Sequence, residues 1–139
     1  MAATQYNPEK SSWLGAGVKQ CFLVIEDEED IRESMRMVLA LEGHEAETAS
    51  NGQEGLRFLE THQPDVVLID IRMPGMNGYE VARRARNLPN GDMLKLVAVT
   101  AYGSPAERAR AYAAGFDVHL TKPCSYAELI RAVNEMDAH

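Results

Sequence analysis

Cysteine is scarce in this chain of 139 residues, with Cys21 and Cys124 as the only two. Two thiols cannot build the disulfide framework of a small secreted domain, and they fit a reducing compartment. Basic charge is also short. Fourteen Lys+Arg stand against twenty-one Asp+Glu, a net charge of −7. That argues against the basic footprint with which nucleic-acid binders displace counterions from phosphates. No apolar run approaches the roughly 20 residues needed to cross a bilayer, and the N-terminus lacks the apolar core of a signal peptide. These shortages point to a cytoplasmic protein that neither binds nucleic acid nor inserts into a membrane. What is present is ordinary: 45% apolar and 25% charged residues, the balance of a globular domain, in a length that suits one core.

Residues 1–20 show neither a helical nor a strand period. They carry Pro8, Gly15, Gly17 and a Ser-Ser pair, and read as a poorly ordered tail or linker. Trp13-Leu14 is their only bulky apolar pair, a candidate to dock on the domain. From residue 21 to 139 the chain alternates between two kinds of segment. Short apolar runs at residues 21–25, 66–69 and 96–99 read as strands, with weaker ones at 45–48 and 117–120. Their continuous apolarity suggests strands covered on both faces, as in a parallel sheet.

Between the runs lie helical spacings: Ile31, Met35 and Val38; Leu56 and Leu59; Val81, Ala85 and Leu88; Leu129, Val133 and Met136. Ser104-Pro-Ala-Glu107 places a capping Ser, a first-turn Pro and a capping-box Glu in order. Ser125-Tyr-Ala-Glu128 repeats the box, and Asn51-Gly-Gln-Glu54 is a weaker form. Gly43 and Gly115 stand where helices stop. The pattern predicts an α/β fold, a doubly wound (βα)5 with a five-stranded parallel sheet. In such sheets the site lies at the carboxyl ends of the strands, beside the switch in strand order.

Those ends are chemically loaded. The first strand runs into Glu26-Asp27-Glu28, the third ends at Asp70, the fourth at Thr100 and the fifth at Lys122-Pro123. Two carboxylates a few ångströms apart repel by about 4 kcal/mol at an effective dielectric near ~20. Glu26, Asp27 and Asp70 together therefore call for a cation, and hard oxygen ligands with room for water and phosphate suit Mg²⁺. Taken singly, each acidic residue could simply cap the following helix; their convergence with a Thr and a Lys is what favours a site.

The segments Leu23-Val-Ile-Glu-Asp-Glu-Glu-Asp30, Asp65-Val-Val-Leu-Ile-Asp-Ile-Arg-Met-Pro-Gly-Met-Asn-Gly78, Val97-Ala-Val-Thr-Ala-Tyr102 and His119-Leu-Thr-Lys-Pro123 resemble the signature blocks of response-regulator receiver domains. They cover essentially all of residues 21–139, in order and at family-like spacing. The stretch around Gly115-Phe-Asp-Val-His is similar to receivers attached to hybrid sensor kinases. The resemblance implies a flavodoxin-like fold and a part in a two-component phosphorelay, as a signalling module rather than a turnover enzyme. Asp70 is then the phosphoacceptor, taking a phosphoryl group from a histidine kinase or histidine phosphotransfer protein, a covalent strategy open to carboxylates. Mg²⁺, with Mn²⁺ as an alternative, is held by Asp27, Asp70, the backbone carbonyl of Arg72 and, through water, Glu26. Lys122 pairs with a phosphoryl oxygen and Thr100 hydrogen-bonds another. The Lys122–Pro123 bond is expected to be cis.

Two positions depart from the family pattern. Glu26 stands where many members carry Asp. His119 stands where many carry the Tyr or Phe that moves inward on phosphorylation, so the switch falls either to His119 or to Tyr102, two residues past Thr100. Thr100, Tyr102 and His119 are thus the switch candidates, facing an unknown output partner around Tyr102, Ala106 and His119. A haloacid-dehalogenase-type phosphatase also places an Asp after a strand, but it needs a second Asp two residues on, where this chain has Arg72. A degenerate receiver acting only as an interaction domain is the third reading, opposed by the intact Glu26, Asp27, Asp70, Thr100 and Lys122. Arg83, Arg84 and Arg86 read as a solvated helix face, and His44 and His62 as surface residues. Cys21 and Cys124 fall at opposite edges of the sheet, since a five-residue strand spans about 16 Å, too far for a bridge. With the last helix ending near Met136, the expected forms are a stand-alone regulator or a receiver from a hybrid kinase.

Overall fold

The structure, a computed structural model, describes residues 19–137, so Trp13 and most of the expected tail lie outside the described residues. Five strands, β1 (Cys21–Ile25), β2 (Glu45–Ala49), β3 (Val66–Asp70), β4 (Lys95–Thr100) and β5 (Val118–Thr121), alternate with five helices. The helices are α1 (Glu29–Leu41), α2 (Gly52–Thr61), α3 (Gly78–Arg86), α4 (Pro105–Ala114) and α5 (Tyr126–Asp137). Every strand pairing is parallel, in the order β2-β1-β3-β4-β5. The switch in order falls between β1 and β3, the two strands that end in carboxylates. The expected (βα)5 architecture holds.

The apolar runs look continuous because alternate residues serve opposite faces. Leu23, Ile25, Val67, Ile69, Leu96 and Ala98 pack under α2, α3 and α4 with Val81, Ala85 and Ala111. Phe22, Val24, Val66, Leu68, Val97 and Val99 pack under α1 and α5 with Leu39, Leu129 and Val133. β3 is buried along its whole length, whereas the edge strands β2 and β5 are not. Burial thus grades from the edges to the centre, where the switch point lies.

The helix starts follow the expected chemistry, with two differences. The Ser125 box closes both ways: Glu128 N–H donates to Ser125 Oγ at 3.1 Å and Ser125 N–H to Glu128 Oε1 at 2.8 Å. At α4 only half the box forms, since Ser104 Oγ accepts from Glu107 N–H at 3.2 Å while the Glu107 carboxylate goes to Arg72. A cap not anticipated from the sequence starts α3, where Asn77 Oδ1 accepts from Glu80 N–H at 3.0 Å. The fifth strand begins at Val118 instead of residue 117. Asp117 turns its carboxylate onto Leu96 N–H at 2.9 Å and the Arg86 guanidinium at 2.8 Å, which latches β5 to β4.

Two surface assignments need correction. His44 is buried, 6% exposed. Its Nδ1 accepts from Gln20 N–H at 3.1 Å, which leaves Nε2–H to donate to Tyr126 Oη at 2.8 Å. A neutral imidazole with both nitrogens satisfied carries no burial penalty, which is why it sits inside. Arg86 is the second. Arg83 and Arg84 pair with Glu80 on the exposed face of α3, but Arg86 donates to the carbonyls of Gly91, Leu94 and Gly115. It closes the loop between α3 and β4 against the end of α4, where Gly115 takes φ 117°, a conformation that favours glycine. His62 is exposed as expected, stacked on Phe58. Cys21 and Cys124 are both free thiols.

Arg86→Met should cost about 2–3 kcal/mol, because it strands buried carbonyls and a carboxylate that had a charged donor. Arg83→Ala in the same helix should stay within about 0.5 kcal/mol of the wild type; urea titrations of both test the contrast. Burial, only partly opposed by Glu42, holds the His44 pKa below its usual value. The unfolded chain then binds the proton first, so stability is full above the ordinary histidine pKa of about 6.5 and falls on acidification below it. His44→Gln should flatten that slope, read from denaturation midpoints between about pH 7 and 5.

Candidate functional site

β1 runs straight into Glu26 and Asp27 and β3 ends in Asp70, and parallel pairing brings the three carboxylates to one edge of the sheet. One oxygen from each lies within 4.8 Å of the others. Glu26 and Asp70 are 2% and 5% exposed, while Asp27 stands more open. Lys122, just past β5, reaches in with Nζ 3.1 Å from Glu26 Oε1 and 3.4 Å from Asp70 Oδ1. The Lys122–Pro123 bond is cis. Backbone donors add to the pairing: Glu28 N–H to Glu26 Oε2 at 3.2 Å, and Arg72 N–H to Asp70 Oδ1 at 3.3 Å. Arg32 on α1 holds the Glu26 and Asp27 carbonyls at 2.9 and 3.4 Å. This fixes the turn that carries both acids.

The electrostatics show how crowded the cluster is. Burial, followed by the charge of Asp70, pushes Glu26 up to about 7, against the opposing Glu28 N–H and Lys122. Burial likewise raises Asp70, with Lys122 the main opposing group. Burial disfavours the Lys122 ammonium, yet Glu26 and Asp70 together carry its pKa above the ordinary lysine value. Three carboxylates against one ammonium leave negative charge uncompensated. The donor set is all oxygen, compact and open on the Asp27 side, which fits a hard divalent cation.

The remaining residues singled out from the sequence divide into two groups. Thr100 is buried, 1% exposed, and borders the cluster: its carbonyl accepts from Lys122 N–H at 2.7 Å and its Oγ1 from Tyr102 N–H at 3.3 Å. The Arg72 side chain, Tyr102 and His119 lie beyond the cluster. The Arg72 guanidinium meets Glu107 Oε2 at 2.7 Å and sits 4.4 Å from the Tyr102 ring centroid. It thereby ties the β3–α3 loop to α4. Tyr102 itself is 56% exposed. His119 Nε2 and Glu107 Oε1 are buried with no hydrogen-bond partner. Burial, then Arg108, lowers the His119 pKa, with Glu107 opposing. The Arg72 side-chain role was invisible in the sequence, because Glu107 is 35 residues away. Gly78 also belongs to the site: a Cβ there would lie 2.7 Å from the Asp70 carbonyl oxygen and from Ile71 Cα. The backbone of α3 therefore packs directly against the strand end that carries Asp70.

Comparison with known proteins agrees with this geometry. Residues 22–134 match the family model of the response regulator receiver domain. The chain is 40% identical over 113 residues, 81% of its own length and 86% of the other's, to an uncharacterised 14.6 kDa protein encoded in the sodA1 3′ region of Leptolyngbya boryana. It is 38% identical over 108 residues to the response regulator MprA of Mycolicibacterium vanbaalenii, 78% of this chain and 46% of that one. The chain thus spans about half the length of that relative. Among solved structures, the receiver domain of the sensor histidine kinase PA1611 from Pseudomonas aeruginosa superposes with a TM-score of 0.78 at 27% identity, covering 87% of this chain and 99% of that one. That structure holds a magnesium ion coordinated in its active-site cleft. With its doubly wound sheet, its three strand-end carboxylates and its reaching lysine, the chain belongs to the response-regulator receiver family of two-component signalling.

Proposed function

We propose that Asp70 is the phosphoacceptor of a two-component phosphorelay and that a histidine kinase or histidine phosphotransfer protein is its donor. The observation that carries this reading is the placement of Asp70: buried at the end of the central strand, 3.4 Å from the Lys122 ammonium and within one cluster with Glu26 and Asp27. An Asp70 carboxylate oxygen attacks the phosphorus of the phosphohistidine, the P–N bond breaks, and an acyl phosphate forms. Lys122 then pairs with a phosphoryl oxygen. The Thr100 hydroxyl turns to donate to another, a charge-assisted bond that competes with its present contact to Tyr102 N–H. Asp27 and Asp70, with the Arg72 carbonyl and Glu26 through water, would hold Mg²⁺ or Mn²⁺. A bound ion supplies charge neutralisation at the transferring phosphoryl group. The same residues let the domain promote its own phosphorylation from small donors and its own dephosphorylation, without turnover of a separate substrate. Both free thiols suit work in the cytoplasm.

Arg72, two residues past Asp70, speaks against the phosphatase alternative. It is bound to Glu107 and Tyr102 and cannot act as a general acid. The complete Glu26, Asp27, Asp70, Thr100 and Lys122 set speaks against a degenerate receiver. Tyr102, Thr100 and His119 are the switch residues in this reading, with the surface around Tyr102, Ala106 and His119 as the output face.

Incubation with acetyl phosphate and Mg²⁺ should add one phosphoryl group by intact mass, and Asp70→Asn should add none; equal uptake by the variant refutes the assignment. Asp27→Asn should leave the metal-free fold as stable as the wild type or more so, since it relieves repulsion, while removing metal binding. A ligand at about 100 times its Kd stabilises the native state by about 2.7 kcal/mol. Thermal melts titrated with Mg²⁺ should therefore rise for the wild type and stay flat for Asp27→Asn.

A further inference from the structure

On the face of the sheet opposite α2, α3 and α4, α1 and α5 do not close completely. Between them lies a cavity of about 240 Å³, lined chiefly by Met35, Val38, Leu39, Leu68, Tyr126 and Leu129. An apolar strip runs out of it along α1. Val38 and Leu41 are 42% and 84% exposed and lie three residues apart, on one side of the helix. Leaving these side chains in water forgoes stabilisation of about 25 cal/mol per Å² of apolar surface. Something apolar belongs there.

We propose that the occupant is the chain's own N-terminal segment, with Trp13 in the cavity and Leu14 over Val38 and Leu41. Three observations converge on it. The first is where the described chain begins. Gln20 N–H is bonded to His44 Nδ1, and His44 Nε2 to Tyr126 Oη, so two hydrogen bonds separate the start of β1 from a wall of the cavity. Lys19 is held there as well, its ammonium 3.2 Å from Glu45.

The second is reach. Six Cα-to-Cα steps lead from Trp13 to Lys19, which permits up to about 20 Å of extended chain. The strip from Leu41 to Ser34, at the far end of the cavity, covers seven helical steps, about 10 Å at ~1.5 Å each. Gly15 and Gly17 supply the backbone freedom to turn from the β1 entry onto the helix.

The third is composition: Trp13-Leu14 is the one pair of large apolar residues in the first twenty, and its order matches the groove. Leu14, nearer the exit, meets the exposed strip, and Trp13 reaches the deeper cavity. Cys124 also lines that cavity, two residues beyond Lys122.

Trp13 is the only tryptophan, so the full chain reports on itself. Its emission should be blue-shifted from that of the urea-unfolded chain, and acrylamide quenching should be reduced several-fold. Both should be independent of protein concentration in a chain that sediments as a monomer. Nuclear Overhauser contacts should join the indole to the Met35 ε-methyl and the Leu129 methyls. Val38→Lys, at a position already open to water, should shift the emission to the red and restore quenching while the circular dichroism stays unchanged. A solvent-exposed indole in the monomer overturns the proposal, as does a buried one that ignores Val38→Lys. A blue shift that grows with concentration alongside a dimer overturns it in favour of a second copy. Should Val38→Lys lose its fold, the indole contacts in the unaltered chain decide the matter alone.

Discussion

Three carboxylates crowd the end of a sheet whose interior is otherwise uncharged, and the rest of the molecule is arranged around holding them there. Their mutual repulsion is opposed by the Lys122 ammonium, by the N–H groups of Glu28 and Arg72, and by Arg32 clamping the turn that bears two of the acids. β3, buried along its whole length, and β1, buried from Phe22 to Ile25, provide the rigidity that keeps the groups from drifting apart. Crowding of this kind destabilises the fold locally and is tolerated where it serves binding. Burial first, and the charge of Asp70 second, raise the pKa of Glu26.

Short links join the cluster to the surface. Thr100 shares its hydroxyl with the backbone of Tyr102, and Tyr102 lies under the Arg72 guanidinium, which holds Glu107 on α4. On the proposed function, drawing Thr100 toward a phosphoryl group frees the Tyr102 backbone and loosens the loop that starts α4. Glu107 Oε1 and His119 Nε2 are both buried and unpartnered, so each has bonding capacity that a shifted arrangement could use. For the His119 imidazole, an inward move gains only where it brings Nε2 to the partner it lacks.

The fold and the cluster were legible because they rest on local patterns: apolar runs of strand length, helical spacing, capping residues, and charged groups directly after strands. At the start of β5 the boundary slipped by a residue because a side chain far along the chain intervenes: Asp117 bonds Leu96 N–H. The misjudged residues share that cause. His44 reads as polar and therefore external until Gln20 and Tyr126 are brought to its two nitrogens. Arg86 is indistinguishable in sequence from Arg83 and Arg84, and only the path of the following loop supplies the carbonyls that bury it.

The two edges of the sheet have a consequence for self-association. β2 carries Glu45 and Glu47, both exposed, and β5 has only four residues. An open strand edge is a template for pairing with another chain, and charge and brevity are the usual means of blunting it. Two copies meeting β2 to β2 would bring their glutamates together, and β5 offers too short a ladder to compensate. Both edges of the sheet thus oppose the strand-to-strand stacking of copies that seeds aggregation.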